Sequence, residues 1–169
     1  MSNFVIIVCG VSGCGKSTIG RALADSTGWP FVEGDDFHPE RNIRKMSSGQ
    51  ALTDQDRQAW LLDIVAHLDR YETEPSILAC SALTPYVQEF LRENLRDRIV
   101  WIKLAISRED ALRRMSSRDH FMPATLMESQ FEAWTPPQSG ASFSTKNAVN
   151  VIVDDILSYL KNEEIIQDN

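Results

Sequence analysis

The chain has 169 residues, of which 43% are hydrophobic and 24% are charged. This composition is typical of a single soluble globular domain, here expected to span residues 1–169. Acidic residues outnumber basic ones by 24 to 17, which gives a formal net charge of −7. That balance argues against a general binder of nucleic acid or anionic membranes, since either needs a dominant basic face. A small anionic ligand in a locally basic pocket is still compatible with it.

The N-terminus and the cysteines indicate where the chain works. Its first apolar run covers only residues 4–9 and has no basic residue before it, so it is too short for a signal peptide. No later window reaches the roughly 20 apolar residues of a membrane helix. Cys9, Cys14 and Cys80 are an odd number without a C-x-x-C pair, which favours free thiols in a reducing compartment. We therefore expect a cytoplasmic protein.

Apolar and helical patterns alternate along the chain. Five apolar, β-branched runs predict strands at residues 4–9, 29–32, 77–80, 99–104 and 149–153. Helices are predicted at residues 17–26, 54–71, 107–118 and 155–164 and from Pro85 onward. Thr53 and Asp56 have the spacing of a capping box, and residues 135–146 form a long irregular loop. The alternation predicts an α/β fold with a five-stranded parallel sheet flanked by helices.

One motif directly follows the first predicted strand and opens the first helix. Residues 10–17, GVSGCGKS, match G-x-x-x-x-G-K-[ST], the P-loop that surrounds phosphates with backbone N–H groups at a helix N-terminus. In this motif the lysine contacts the β- and γ-phosphates and the serine hydroxyl binds Mg²⁺. We predict ATP and Mg²⁺ as ligands, with Ser17 on the metal. The predicted nucleotide-binding residues are Gly10, Ser12, Gly13, Cys14, Gly15, Lys16, Ser17 and Thr18.

A P-loop alone does not separate a kinase from a GTPase or a motor ATPase. The chain has no N-K-x-D sequence to read guanine, and it is too short for the extra elements of motor ATPases. The second strand is followed by carboxylates, Glu33, Asp35 and Asp36. They would lie at the carboxyl edge of a parallel sheet, where ligands bind. These features favour a small-molecule kinase.

Residues 34–61, GDDFHPERNIRKMSSGQALTDQDRQAWL, resemble the signature of the small P-loop gluconokinases, which are similar to shikimate kinases. Residues 80–83, 114–121 and 130–132 also resemble that family, so the likeness covers about residues 4–154. It implies a three-layer P-loop kinase fold with an acceptor region at about residues 35–75 and a lid at about 114–135. The implied reaction transfers a phosphoryl group from ATP to D-gluconate.

The resemblance also suggests roles for single residues. Asp35 stands where the similar shikimate kinases carry a carboxylate, and we expect it to accept a hydrogen bond from the attacking hydroxyl and to take its proton. Glu33 is a further candidate to hold Mg²⁺ through water. Arg57 is the best candidate for the gluconate carboxylate, because a guanidinium matches a carboxylate with two hydrogen bonds. The predicted substrate-binding residues are Asp35, His38, Arg41, Lys45, Arg57 and His120.

The predicted lid carries two arginines four residues apart. Arg114 and Arg118 would share one helix face and clamp the transferring phosphoryl group. With Lys16 and Asp35 they complete the predicted catalytic set, and His120 would reach the substrate when the lid shuts. His67 lies outside any motif and is expected to be structural.

The sequence departs from the family pattern in two places. Thr84 stands where the family usually has lysine, and residues 134–137, WTPP, replace an L-E-x-P-type segment. Two alternatives therefore stay open. A kinase for another small anionic acceptor, such as a different sugar acid or shikimate, is one, although shikimate kinases have G-G-G where this chain has Cys80-Ser81-Ala82. A nucleotide-binding protein without catalysis is the other, although its key residues would then be expected to be damaged. Whether the chain forms a homodimer is also open.

Overall fold

The sheet is parallel throughout and has the strand order β2-β3-β1-β4-β5. A computed structural model describes residues 3–96, 98–117, 123 and 126–167. The strands are β1 Val5–Cys9, β2 Phe31–Glu33, β3 Ser76–Ala79, β4 Ile99–Ala105 and β5 Ala141–Ser144. Every residue of β1 is buried, as expected for a central strand covered on both faces. The predicted α/β class is confirmed.

Helices cover both faces of the sheet and give three layers. They are α1 Lys16–Thr27, α2 Glu40–Ser47, α3 Asp54–Leu68, α4 Pro85–Asn94, α5 Arg108–Ser116, α6 Leu126–Ala133 and α7 Val149–Asn162. Short 3-10 helices occupy Gly34–Phe37 and Asp69–Tyr71. On one face α1 and α7 pack against Ile6 and Val8, and on the other α3 and α4 pack against Val5 and Ile7. Alternate residues of the central strand thus enter two separate cores.

Several helix starts follow the predicted signals. The Thr53 hydroxyl accepts from the Asp56 backbone N–H at 3.2 Å and the Asp56 carboxylate accepts from Thr53 N–H at 2.8 Å, which completes the capping box of α3. Pro85 occupies the first turn of α4. The Ser107 hydroxyl accepts from Asp110 N–H at 3.1 Å and caps α5.

The prediction of a fifth strand at residues 149–153 is wrong, because this segment begins helix α7. The buried side chains of α7 are Ile152, Val153, Ile156 and Leu160, spaced as one helical face. Val151 is 40% exposed, which a strand covered on both faces would not allow. The fifth strand is Ala141–Ser144, within the segment predicted as an irregular loop.

The loops that follow β1, β2 and β3 meet at one edge of the sheet. There the chain leaves β1 into residues 10–15, leaves β2 into the 3-10 helix Gly34–Phe37, and leaves β3 toward α4. This edge holds the site described below. In the part of the chain that the structure describes, no helix is long and apolar enough to cross a membrane.

Candidate active site

The P-loop encloses a small hollow, here called the phosphate cradle. Gly13 and Gly15 have φ angles of +80° and +99°, which turn the loop toward the N-terminus of α1. The cradle is lined by Ser12, Gly13, Gly15, Lys16, Ser17, Asp35 and Met115. Gly10 does not line it. A Cβ on Gly10 would lie 2.9 Å from both Cys14 Sγ and the Leu104 carbonyl, so this glycine permits close packing beneath the cradle.

Two contacts hold the cradle in shape. Lys16 Nζ donates to the Val11 carbonyl at 3.1 Å. The Ser12 backbone N–H donates to Gln130 Oε1 at 2.8 Å, and Gln130 comes from α6, far along the chain. Backbone N–H groups and a lysine at a helix N-terminus suit phosphate oxygens, and an oxygen of Gln130 already accepts from one of those groups. The cradle therefore fits the triphosphate of a nucleotide.

A second hollow, the acceptor cleft, opens beside the cradle. Its polar lining residues are Ser12, Lys16, Asp35, His38, Arg57, Ser81, Ser129 and Gln130. Its apolar lining residues are Met46, Ala51, Leu52, Trp60, Leu83, Val87, Leu126 and Ala133. Lys16, Asp35 and Ser12 line both hollows. A group bound in the cleft and a phosphate bound in the cradle would therefore meet at Lys16 and Asp35.

Asp35, His38 and Arg57 come together in the cleft as predicted. His38 Nε2 lies 3.9 Å from Asp35 Oδ1, and the His38 side chain is only 6% exposed. Burial lowers the pKa of His38 more than the Asp35 carboxylate raises it, and the Arg57 guanidinium also lowers it. Arg57 forms an ion pair with Asp54 at 3.0 Å. His38 is therefore a neutral hydrogen-bonding group between a carboxylate and a cation.

Glu33 lies next to Ser17 at the edge of the cradle. Burial raises the pKa of Glu33, whereas a hydrogen bond from the Ser17 side chain lowers it and the Asp35 charge raises it again. A partly desolvated carboxylate beside a serine hydroxyl offers the hard oxygen ligands that Mg²⁺ prefers. These two residues fit a magnesium ion held together with phosphates and water.

Arg114 lies in a third hollow on the opposite side of the P-loop, here called the nucleoside hollow. Its guanidinium donates to the Thr145 carbonyl at 2.8 Å and to the Cys14 carbonyl at 3.4 Å. The hollow is lined by Cys14, Gly15, Thr18, Ile19, Arg114, Ser117, Thr145, Asn147, Val149 and Ile152. Arg114 thus borders the space beyond the phosphates, which suits the nucleoside of ATP.

The remaining predicted residues are not gathered at the cleft. Arg41 is exposed on α2 and does not line it. Lys45 Nζ lies 2.5 Å from Asp56 Oδ2, so it supports the capping box of α3. Arg118 and His120 lie outside the described residues. His67 contacts the rings of Phe37 and Tyr71, which agrees with the structural role expected for it.

Some residues of the cleft are not predicted as site residues from the sequence. Gln130 and Ser129 come from α6, which the sequence did not predict as a helix. Gln130 does belong to the Q-F-E segment that resembles the family, and this was the available signal. Trp60 is a buried residue of α3, and it stacks on His38 with ring centroids 4.4 Å apart and donates from Nε1 to the Gly34 carbonyl at 2.7 Å. The floor of the cleft is thus part of the core.

The fold has three layers, a parallel sheet with helices on both faces, and the phosphate cradle adjoins the acceptor cleft. These features define a P-loop kinase that acts on a small molecule. The sequence model of the shikimate kinase family matches residues 12–160. A probable gluconokinase from Xenopus tropicalis is 37% identical, with 90% of this chain and 90% of that protein covered. A probable gluconokinase from Schizosaccharomyces pombe is 38% identical over 79% of this chain and 74% of that protein.

A solved structure titled as a gluconokinase from Sinorhizobium meliloti 1021 superposes with a TM-score of 0.84 at 36% identity, and 99% of each chain is covered. The chain belongs to the gluconokinase family. The resemblance stated from residues 34–61 is therefore confirmed, and so is the assignment as an ATP-dependent kinase.

Proposed function

We propose that this enzyme transfers the γ-phosphoryl group of ATP to a hydroxyl of D-gluconate, giving 6-phospho-D-gluconate and ADP. The observation that carries the proposal is that Lys16 and Asp35 line both the phosphate cradle and the acceptor cleft. Phosphoryl transfer requires an attacking oxygen in line with the phosphate and a cation to neutralise its charge. Where the two hollows join, a hydroxyl bound in the cleft would face a phosphate bound in the cradle, and Lys16 supplies the cation.

Asp35 is the residue placed to receive the acceptor. Its carboxylate borders the cleft, so it can accept a hydrogen bond from the attacking hydroxyl and take the proton as the new O–P bond forms. Lys16 neutralises charge on the phosphoryl oxygens. Ser17 and Glu33 would hold Mg²⁺, which would neutralise charge on the phosphates during the transfer.

Arg57 and two serines of the cleft suit the remaining features of gluconate. The substrate carries a carboxylate and a row of hydroxyls, and it needs a cation and several hydrogen-bonding groups. Arg57 lies in the cleft with its side chain only 17% exposed. Ser81 and Ser129 add hydroxyls that can donate or accept. We assign the carboxylate to Arg57 and sugar hydroxyls to Ser81 and Ser129.

Location belongs to the same proposal. Cys9, Cys14 and Cys80 are buried and free, and free thiols suit a reducing compartment. We therefore keep the prediction that the enzyme works in the cytoplasm.

An acceptor panel tests the proposal. Purified full-length protein with ATP and Mg²⁺ is given gluconate, other sugar acids, shikimate or no acceptor, and ADP release is followed together with the phosphate ester by ³¹P NMR. We expect rapid release only with gluconate. The Lys16→Ala variant should be inactive, whereas Lys161→Ala, at an exposed position of α7, should match the wild type. Faster turnover of another acid would overturn the substrate, and equal release without acceptor would indicate an ATPase.

A further inference from the structure

Asn42, on α2, connects the acceptor cleft to the start of α3 through buried hydrogen bonds. The residue is 1% exposed. Its Nδ2 atom lies 2.9 Å from the Asp56 backbone carbonyl and 3.4 Å from His38 Nδ1. No role in binding or catalysis follows from the P-loop or from the acceptor cleft, because Asn42 lines neither hollow.

The contact with Asp56 fixes the orientation of the Asn42 amide. A backbone carbonyl can only accept, so the amide atom 2.9 Å away must be the nitrogen. The reverse orientation would place two acceptor oxygens against each other. The NH₂ group carries two hydrogens, one for the Asp56 carbonyl and one available to His38 Nδ1 at 3.4 Å.

That orientation determines the tautomer of His38. Since the Asn42 nitrogen offers only hydrogens, the 3.4 Å contact is a hydrogen bond only when His38 Nδ1 accepts through its lone pair. A neutral imidazole then carries its proton on Nε2, the atom 3.9 Å from Asp35 Oδ1. A protonated imidazole would set Nδ1–H against the amide hydrogens, so Asn42 also disfavours the cation.

Trp60 holds the same imidazole from another direction. The two rings are nearly parallel, with an interplanar angle of 12° and centroids 4.4 Å apart. Trp60 also donates to the Gly34 carbonyl, immediately before Asp35. Stacking limits the tilt of the imidazole, and the amide of Asn42 limits its rotation. Nε2 is therefore held on the side of the ring that faces the Asp35 carboxylate, 3.9 Å away.

We propose that Asn42 is a positioning residue that fixes His38 as the neutral Nε2–H tautomer, so that His38 presents a donor to the Asp35 carboxylate, which accepts from the substrate hydroxyl. His38 then acts as a donor and Asp35 is the only base of the pair. The inference deepens the role proposed for Asp35 and rests on it. It makes a statement about the ligand-free protein that does not depend on the substrate.

The first experiment needs no variant. The ¹⁵N chemical shifts of the imidazoles are recorded in the wild-type full chain at pH 8, and the signals of His38 are identified by their loss in His38→Gln. We expect protonated Nε2 and unprotonated Nδ1. The opposite tautomer, or a mixture of the two as in free histidine, would overturn the proposal.

The second experiment replaces the His38 imidazole with an amide side chain that does or does not place a donor at the position of Nε2. His38→Gln can place an NH₂ donor near the position of Nε2, whereas the shorter His38→Asn cannot. We expect kcat of His38→Gln to exceed that of His38→Asn by about 10- to 100-fold, the scale of misplaced catalytic groups, with KM for ATP unchanged in both. Equal losses in the two variants would contradict the donor role.

The third experiment inverts the tautomer. Asn42→Asp replaces the donor with an acceptor of the same shape, so His38 should shift to the Nδ1–H form or the cation, with a fall in kcat. Leu160→Ala, in the opposite core, controls for lost stability and should leave the His38 shifts unchanged. If Asn42→Asp fails to fold, the wild-type spectrum still decides. A chain with the predicted tautomer but no gluconate turnover would overturn the proposed function alone.

Discussion

Gly34 lies between β2 and Asp35, and replacing it with alanine tests whether the sheet positions the proposed base. A Cβ at Gly34 would stand 2.6 Å from the Ala79 carbonyl oxygen and 3.5 Å from Cys80 Cα. Both neighbours are backbone atoms at the end of β3, which is hydrogen-bonded on both sides. The strand cannot move, so the residue that carries the new methyl group must.

The size of the displacement follows from these distances. An ordinary contact begins near 3.4 Å, so Gly34→Ala must retreat by about 0.8 Å and carry Asp35 with it. A misplacement of about 1 Å can lower a rate roughly 100-fold, and we expect kcat to fall about 10- to 100-fold. Overpacking costs about 1–3 kcal/mol, or about 2–12 °C in Tm for a chain of this size.

Gly20→Ala is the matched control. Its Cβ would also approach another atom to 2.6 Å, but that atom belongs to the ring of Phe31, a side chain that can move. Gly20 lies inside α1, where alanine is favoured over glycine by about 1 kcal/mol. Steady-state kinetics by ADP release and thermal unfolding by circular dichroism should separate the variants. If Gly34→Ala keeps full kcat, or if Gly20→Ala loses as much, the positioning argument fails.

Three further substitutions test other parts of the site. Because burial raises the pKa of Glu33, its charge opposes folding at pH 7. Glu33→Gln should therefore raise the Tm of the protein without nucleotide. The same variant should need more Mg²⁺ for half-maximal activity. Arg114→Ala should raise KM for ATP and leave KM for gluconate unchanged, whereas a loss confined to kcat would favour the predicted phosphoryl clamp. Lys45 and the capping box lower the pKa of Asp56 to about 2. The ionised carboxylate therefore stabilises the folded state above its ordinary pKa of 3.8, and this stabilisation is lost as pH falls toward 2. Asp56→Asn should therefore cost about 1 kcal/mol in urea unfolding at pH 7, and the difference should shrink at pH 2–3.

The strands that the sequence predicts well are those with continuous apolar runs. β1 and β4 lie in the interior of the sheet, and hydrophobicity alone marks them. The sequence does not predict β5, because ASFS has one large apolar residue and alternates between half-buried and exposed positions at the sheet edge. Residues 149–153 mislead for the opposite reason: they are β-branched, but the apolar spacing continues through Ile156 and Leu160 with a helical period.

The site divides in a similar way. The P-loop and the carboxylates after β2 are local in sequence, so their chemistry could be predicted together with their position at one edge of the sheet. Partners such as Gln130, bonded to Ser12 across 118 positions, depend on packing that no local pattern encodes. Lys45 shows the converse. It is close in sequence to Asp35, yet its side chain forms an ion pair with Asp56 in the first turn of α3.

The bond between Gln130 and the P-loop links the two substrates. A phosphate oxygen that accepts from the Ser12 N–H must take the place of the Gln130 oxygen, because one N–H group serves one strong acceptor. The Gln130 amide also lines the acceptor cleft, so its release changes the surface that the sugar acid meets. If a bound phosphate displaces Gln130 in this way, each substrate alters the affinity for the other, and by thermodynamic reciprocity the effect is equal in both directions.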